Sequence, residues 1–316
     1  MLDRMAESLF WLGRYAERAE NHARLIDVYY HLREDADGSD EAVWRRIVGA
    51  IGDRSAYEGK YQTYREREAI HFLTLDASQD NALIVCVAQA RDNLKKIRER
   101  LPSELWNLLN GFYLWLRQSD ADGVLRDPHR FFERVKESLA AFQGMSVSIA
   151  LRDASWHLME SGRYLERSEN IVRLLQSMRQ TAAESGGSSY AYLMAVLKSV
   201  GGYEVYRRLG AEEMSLEEVS SFLLLQEPFP RSVHYALAAF EREVRAVRGG
   251  ADKTGAGLER IIRLAGKARS ELDWLERQDL AGEMLDGILL QLSGTNRQLG
   301  EAMAKTFFSS GKEVIA

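Results

Sequence analysis

Gly13-Arg14-Tyr15-Ala16-Glu17-Arg18-Ala19-Glu20-Asn21-His22-Ala23-Arg24-Leu25-Ile26 returns, without a gap, as Gly162-Arg163-Tyr164-Leu165-Glu166-Arg167-Ser168-Glu169-Asn170-Ile171-Val172-Arg173-Leu174-Leu175. The offset is 149 residues, and nine of the 14 positions are identical: Gly, Arg, Tyr, Glu, Arg, Glu, Asn, Arg and Leu. A repeat of this length is the first thing to settle in a chain, because it fixes the architecture that later elements must fit. Further out, the same offset pairs Gly52 with Gly201 and Tyr57 with Tyr206, and one residue of slippage pairs Phe72-Leu73 with Phe222-Leu223. These pairings predict two related helical halves, about 1–144 and 145–316, each opened by a long helix that carries the motif.

The periodicity is helical. Leu12, Tyr15, Ala16, Ala19, Ala23 and Ile26 recur at steps of three and four, which makes a stripe on a helix spanning 3–33. At about 100° per residue, Arg14, Glu17, Arg18, Asn21 and Arg24 gather on one side, while Tyr15, Ala19 and Ile26 lie opposite. Each long helix therefore reads as one apolar face and one charged face. Arg14 with Glu17 (i,i+3) and Glu20 with Arg24 (i,i+4) are close enough to pair on one helix.

Outward from the motif, Glu34–Ser39 ends the first helix, and shorter helices are expected over 40–51 and 63–75, with a loop between them through about Tyr61. Another runs from the Asp76–Asp80 connector to about Leu101. Pro102-Ser103 opens a helix over Glu104–Arg117 with Ser103 as its cap, Asp120–Asp127 reads as a turn, and Pro128 starts a helix to Phe142. The second long helix is expected from about Val147 to Glu184 and breaks at Gly186-Gly187-Ser188-Ser189. Helices over 190–200 and 203–209, a capping box at Ser215-Leu216-Glu217-Glu218, a helix over 231–248 and two long helices in 255–310 complete the chain. No stretch alternates as a strand does, and only 4 of 316 residues are proline. The predicted class is all-α.

Composition narrows the role. With 46% hydrophobic and 28% charged residues the chain can bury a large core. A net charge of −5 without a basic stripe speaks against nucleic-acid binding. No apolar run reaches the roughly 20 residues of a membrane span, and the charged N-terminal stretch does not read as a signal peptide, so a cytoplasmic protein is expected. The single cysteine, Cys86, rules out a disulfide framework and reads as a buried apolar residue. Nucleophile elbows, phosphate-binding loops and dinucleotide fingerprints are missing from the sequence.

Three readings of the repeated motif compete. In the first it is a solvated charged surface, and in the second a buried Arg–Glu–Asn network joining the two helices. In the third it is a polar site built from Arg14, Glu17, Arg18, Glu20, Asn21, Arg24, Arg163, Glu166, Arg167, Glu169, Asn170 and Arg173. Arginines around the glutamates favour ionised carboxylates, which suits anion binding or structural pairing better than general acid catalysis. A carboxylate-bound divalent metal in a helical bundle would need two Glu-x-x-His motifs. Only Glu68-Ala69-Ile70-His71 is available, and Ser221 stands at the corresponding place in the second half, so no metal and no cofactor is expected from these faces. The remaining histidines, His22, His31, His129, His157 and His234, are scattered; His157 could approach Glu160 or Arg163.

Trp11-Leu12-Gly13-Arg14-Tyr15 followed by Glu17-Arg18-Ala19-Glu20-Asn21-His22-Ala23-Arg24, behind an N-terminus of the Met-Leu-x-Arg-x-Ala-Glu-Ser type, resembles the alpha-E family of bacterial all-helical proteins. Phe72–Asp76, Ala90–Asn93, Glu104–Asn110 and Pro230-Arg231-Ser232-Val233 also look like family segments. Asp80-Asn81-Ala82 departs from the Asn-Pro-x-Ser-like helix start expected there. The resemblance implies partners: circularly permuted ATP-grasp proteins and transglutaminase-like proteins, encoded beside such chains. It implies a role as partner or accessory subunit of a peptide-ligase or peptide-modification system. A stand-alone enzyme or anion-binding protein is one alternative, a helical bundle holding a divalent metal through carboxylates is another, and self-association into a homo-oligomer stays open.

Overall fold

Two helices of 30 and 32 residues, α1 (Asp3–Leu32) and α9 (Ala154–Ser185), form the axis of the molecule. They pack along each other more extensively than any other pair of elements. In the computed structural model, which describes residues 3–32, 40–51, 53–185, 187–210, 214–247 and 255–308, every regular element is a helix or helical turn. α1 is followed by α2 (Asp40–Ile51), α3 (Arg54–Glu58), α4 (Glu66–Thr74), α5 (Leu83–Lys96), α6 (Ser103–Leu116), α7 (Ala121–Arg126) and α8 (Pro128–Ile149). α9 is followed by α10 (Tyr190–Ser199), α11 (Tyr203–Arg208), α12 (Leu216–Leu225), α13 (Val233–Ala246), α14 (Gly255–Asp273) and α15 (Gly282–Met303).

The packing around the two axial helices is matched. α5 and α8 lie along α1 with α6 packed against both, and α13 and α15 lie along α9 with α14 packed against both. α10 crosses over to touch α1, and α2 touches α9. The aromatic pairs noted in the sequence take up like geometry: Tyr57 meets Phe72 edge-on at 5.0 Å and 83°, and Tyr206 meets Phe222 edge-on at 5.4 Å and 84°. Gly52 and the Glu34–Ser39 break lie outside the described residues.

Several boundaries differ from expectation, each for a local reason. The supposed turn at 120–127 is α7, because the Asp120 carboxylate accepts a hydrogen bond from the Gly123 N–H at 2.6 Å and starts a helix. α8 continues past Phe142 to Ile149, and α9 begins at Ala154 rather than Val147. There the Asp153 side chain accepts from Ser155 N at 2.8 Å and Trp156 N at 3.2 Å. The expected loop before Tyr61 contains α3, capped by Asp53. Ser103 does not cap α6, since Pro102 holds the cap position and the Ser103 hydroxyl turns to Glu104. α5 stops at Lys96 and a single tight turn, Arg98–Arg100, leads to Leu101. Ser215 does cap α12, accepting from Glu218 N at 3.2 Å, but the Glu218 carboxylate pairs with Arg277.

The axial helices are not half-exposed amphipaths. Leu12, Ala19, Ala23 and Ile26 are fully buried, as expected for the apolar stripe, but Arg14, Glu17, Glu20 and Asn21 on the opposite face are buried too. A helix covered on all sides is a core helix. The charged face is therefore an interior surface.

Candidate functional site

Two glycines set the distance between the axial helices. A Cβ added at Gly13 would overlap the Met159 carbonyl oxygen, and one added at Gly162 would overlap the carbonyl oxygen of Phe10. Both contacts carry the 149-residue offset, 13 to 162 and 10 to 159. Glycine inside a helix costs about 1 kcal/mol relative to alanine, so its presence in both copies of the motif follows from backbone-to-backbone approach.

With the backbones this close, the next turn places the charged side chains against each other. Arg18 donates from Nε to Glu166 Oε1 at 2.6 Å and from Nη2 to Glu166 Oε2 at 3.1 Å. Arg167 donates from Nε and Nη2 to the two oxygens of Glu17, both at 2.7 Å. These are fork-on-carboxylate pairs, the strongest geometry available to arginine. The third guanidinium nitrogen finds an oxygen in each case: Arg18 Nη1 reaches Asn81 Oδ1 at 3.4 Å and Arg167 Nη1 reaches the Pro230 carbonyl at 3.1 Å. Positions 81 and 230 are again 149 apart.

Around this centre the arrangement loses its symmetry. Arg14 crosses to α9 and donates to Glu166 at 2.6 Å and Glu169 at 2.5 Å, whereas Arg163 turns back along its own helix to Glu160. The place of Arg14 on the Glu17 side is taken by Arg231, which binds Glu20 at 2.5 Å and lies 3.4 Å from Glu17. Glu17 and Glu166 are thus each held by two arginines. The outer ends are closed by the i,i+4 pairs Glu20–Arg24 and Glu169–Arg173, both at 2.8 Å.

The sequence expectation of an Arg14–Glu17 pair on one helix is corrected: Arg14 reaches across to Glu166 and Glu169 on α9, and the Glu17 oxygens are held by Arg167 and Arg231. The asparagines are also not part of the ion pairs as a network would have them. Asn21 and Asn170 are buried beside it, and neither the amide oxygen nor the amide nitrogen of Asn170 has a hydrogen-bond partner. His157 turns its Nδ1 to Glu243 on α13, at 2.8 Å. Arg231 and Glu160 were missed as site residues, because neither falls inside the repeated stretch.

Electrostatics follow from burial and pairing. Burial by itself would raise the Glu17 carboxyl, but Arg167 and Arg231 outweigh it and hold the group down at about 2. Glu166 is likewise held at about 2, with Arg14 and Arg18 overcoming its burial. Neither can store a proton near neutral pH, which removes them as general acids. His22, enclosed on the neighbouring face, is pushed down to about 3 by burial and then by Arg18 and Arg173. Burial pushes the Cys86 thiol up to about 12.

One edge of the network reaches solvent. A cleft of about 760 Å³ between α1, α9 and α15 is lined by Trp11, Arg14, Glu169, Asn296 and Arg297, among others. The Arg14 guanidinium lies over the Trp11 ring at 5.2 Å, and the buried Asn296 amide nitrogen has no partner. Arg24 and Arg173, at the outer ends, are also partly exposed, whereas Glu17, Glu166 and Arg167 are closed off inside the protein.

A family described as a predicted alpha-helical domain with a conserved ER motif matches residues 1–308. The chain belongs to the Alpha-E family. Glu-Arg occurs at several places in this chain, but only Glu17-Arg18 and Glu166-Arg167 fall in the repeated stretch. In the fold of this Alpha-E chain each of those glutamates is bound by the other pair's arginine. Uncharacterized proteins of Mycobacterium bovis and Mycobacterium tuberculosis are each 24% identical over 312 residues, covering 92% of this chain and 34% of their own length. The chain spans about a third of the length of these curated relatives. No solved structure is detectably similar to it. No helix among the described residues is long and apolar enough to cross a membrane.

Proposed function

We propose that this Alpha-E chain acts as a partner or accessory subunit of an ATP-grasp-type peptide-ligase or peptide-modification system, with the ATP-grasp protein supplying the reacting groups. The observation that carries this reading is the enclosure of the motif: Glu17 and Glu166 are buried, ionised and each bound by two arginines. A carboxylate so committed has no oxygen free for a substrate, which suits a rigid scaffold better than a self-sufficient catalyst. Glu17 and Glu166 are equally ill placed for a divalent metal, because guanidinium groups already occupy both oxygens of each. The relatives' additional length is in keeping with a unit that works beside other domains.

The same contacts support two helical halves, about 1–144 and 145–316, that arose as copies of one unit. Backbone approach, ion pair and third guanidinium contact all recur at an offset of 149, and two unrelated bundles would have no reason to share it. The ER motif then serves as the clasp between the copies.

The test is co-expression with a circularly permuted ATP-grasp protein, followed by co-purification and an ATP-dependent ligation assay with and without this chain. A stable complex whose turnover needs this chain is the expected result. No complex and no effect on ligation would overturn it. An anion-binding role is the second reading, favoured by the cleft at Arg14 and Arg297, and it predicts saturable binding of small carboxylates that Arg297→Glu abolishes.

A further inference from the structure

We propose that Asp27, His31 and His129 form a binding site for one divalent transition-metal ion, with Zn²⁺ the best match to the donor set. The site lies at the far end of α1 from the cleft and is independent of the proposed partnership. Asp27 and His31 stand one turn apart on α1, so they share a face. His129 is the second residue of α8, brought to that face by the helix start at Asp127-Pro128.

The geometry suits a metal better than it suits hydrogen bonding. His129 Nδ1 lies 3.1 Å from Asp27 Oδ1, and His31 Nε2 lies 3.7 Å from the same oxygen. The ligand atoms of all three residues fall within 4.8 Å of one another. In a tetrahedral zinc site, ligand atoms stand about 3.3 Å apart, as follows from bonds near 2.0–2.1 Å. The two measured separations bracket that figure. At 3.7 Å the His31 nitrogen is beyond hydrogen-bond reach of Asp27, so three Lewis bases converge while only one contact between them is made.

The surroundings are organised for the same task. The other Asp27 oxygen, Oδ2, accepts from Lys136 Nζ at 2.6 Å, which fixes the carboxylate and leaves Oδ1 turned to the imidazoles. Asp27 is 6% exposed, whereas His31 and His129 are 49% and 56% exposed. The rings can therefore close the last separation by small rotations, and the fourth position is open to water. Two imidazoles with one carboxylate select zinc and its first-row neighbours; Mg²⁺ and Ca²⁺ favour all-oxygen sets. The Lys136 charge opposes a dication and sets the affinity below that of a site with a neutral outer partner. A second grouping, Glu227, His234 and Asp273, offers one imidazole, and its Asp273 is shared with Arg269.

The experiment uses the full chain, stripped with a chelator, titrated with Zn²⁺ by calorimetry and with Co²⁺ by visible absorption. One equivalent of Zn²⁺ should bind, and Co²⁺ should show the intense bands of a four-coordinate ion. His31→Ala and His129→Ala should each weaken binding by about tenfold or more while the melting temperature of the metal-free protein is unchanged, since both rings are half exposed. Glu227→Gln should have no effect. Absence of saturable binding, affinity unchanged in both histidine variants, or loss caused by Glu227→Gln instead would each overturn the assignment.

Discussion

Arg18 grips Glu166 with two nitrogens, at 2.6 and 3.1 Å, deep between the axial helices, where the Glu166 side chain has no exposed surface. The reciprocal pair, Arg167 on Glu17, repeats the arrangement at an offset of 149 residues. Replacing a buried pair by apolar residues can be neutral, but removing one partner strands the other charge.

Glu166→Gln should therefore destabilise the protein by about 3–5 kcal/mol, and Glu17→Gln by a similar amount. Arg173→Gln, at a partly exposed pair, should cost under about 1 kcal/mol. Urea denaturation of the three variants checks this; melting unchanged in Glu166→Gln would mean that the carboxylate is a solvated, exchangeable group.

Gly13→Ala and Gly162→Ala should destabilise, against the usual helix trend. An added Cβ meets a backbone carbonyl in both cases, so the helices must move apart and the ion pairs lengthen. At Gly111 and Gly144, also in helices, nothing lies within 4 Å of the added atom. Alanine there should stabilise by about 0.5–1 kcal/mol. Thermal melts of the four single variants would read the opposite signs directly.

Acid should weaken the fold in two stages. His22 is lowered from 6.5 to about 3 and Glu17 and Glu166 from 4.5 to about 2, so in each case the unfolded chain binds the proton first. The stability these groups contribute is complete above the unfolded values and is lost as pH falls towards the folded ones. Unfolding free energy should hold steady above about pH 7, decline gently below 6.5 with His22 and steeply below 4.5 with the glutamates. Denaturant titrations from pH 8 to pH 3 give the profile, and a flat one would contradict the pairing.

Cys86 should resist a thiol reagent in the native protein and react fully in urea. It is wholly buried on α5, and burial raises its thiol to about 12, so almost no thiolate is present. Rapid native labelling would show that α5 opens from α1.

Much of this fold is legible in the chain itself. The helical class, the two long helices and the repeated motif follow from spacing and from turn residues, because local backbone preference and apolar periodicity act within a few residues. The glycines of the motif also carried a signal, since a helix has no local use for them at Gly13 and Gly162. Boundaries such as Asp120 and Asp153 were harder to read, because a carboxylate caps a helix only when the backbone has already turned towards it.

Which carboxylate meets which arginine is a different matter. On the helical wheel Glu17 is a neighbour of Arg14, yet its oxygens are taken by Arg167 and Arg231, and Arg14 serves Glu166 and Glu169 instead. The convergence of Asp27, His31 and His129 is likewise invisible in a sequence where the two histidines stand 98 positions apart. The sequence by itself determined the helical class, the two long helices, the repeat of the motif and the residue types on each face. Only the tertiary structure decided that the charged face lies inside and which partners satisfy it, because burial and long-range pairing depend on how closely two backbones approach.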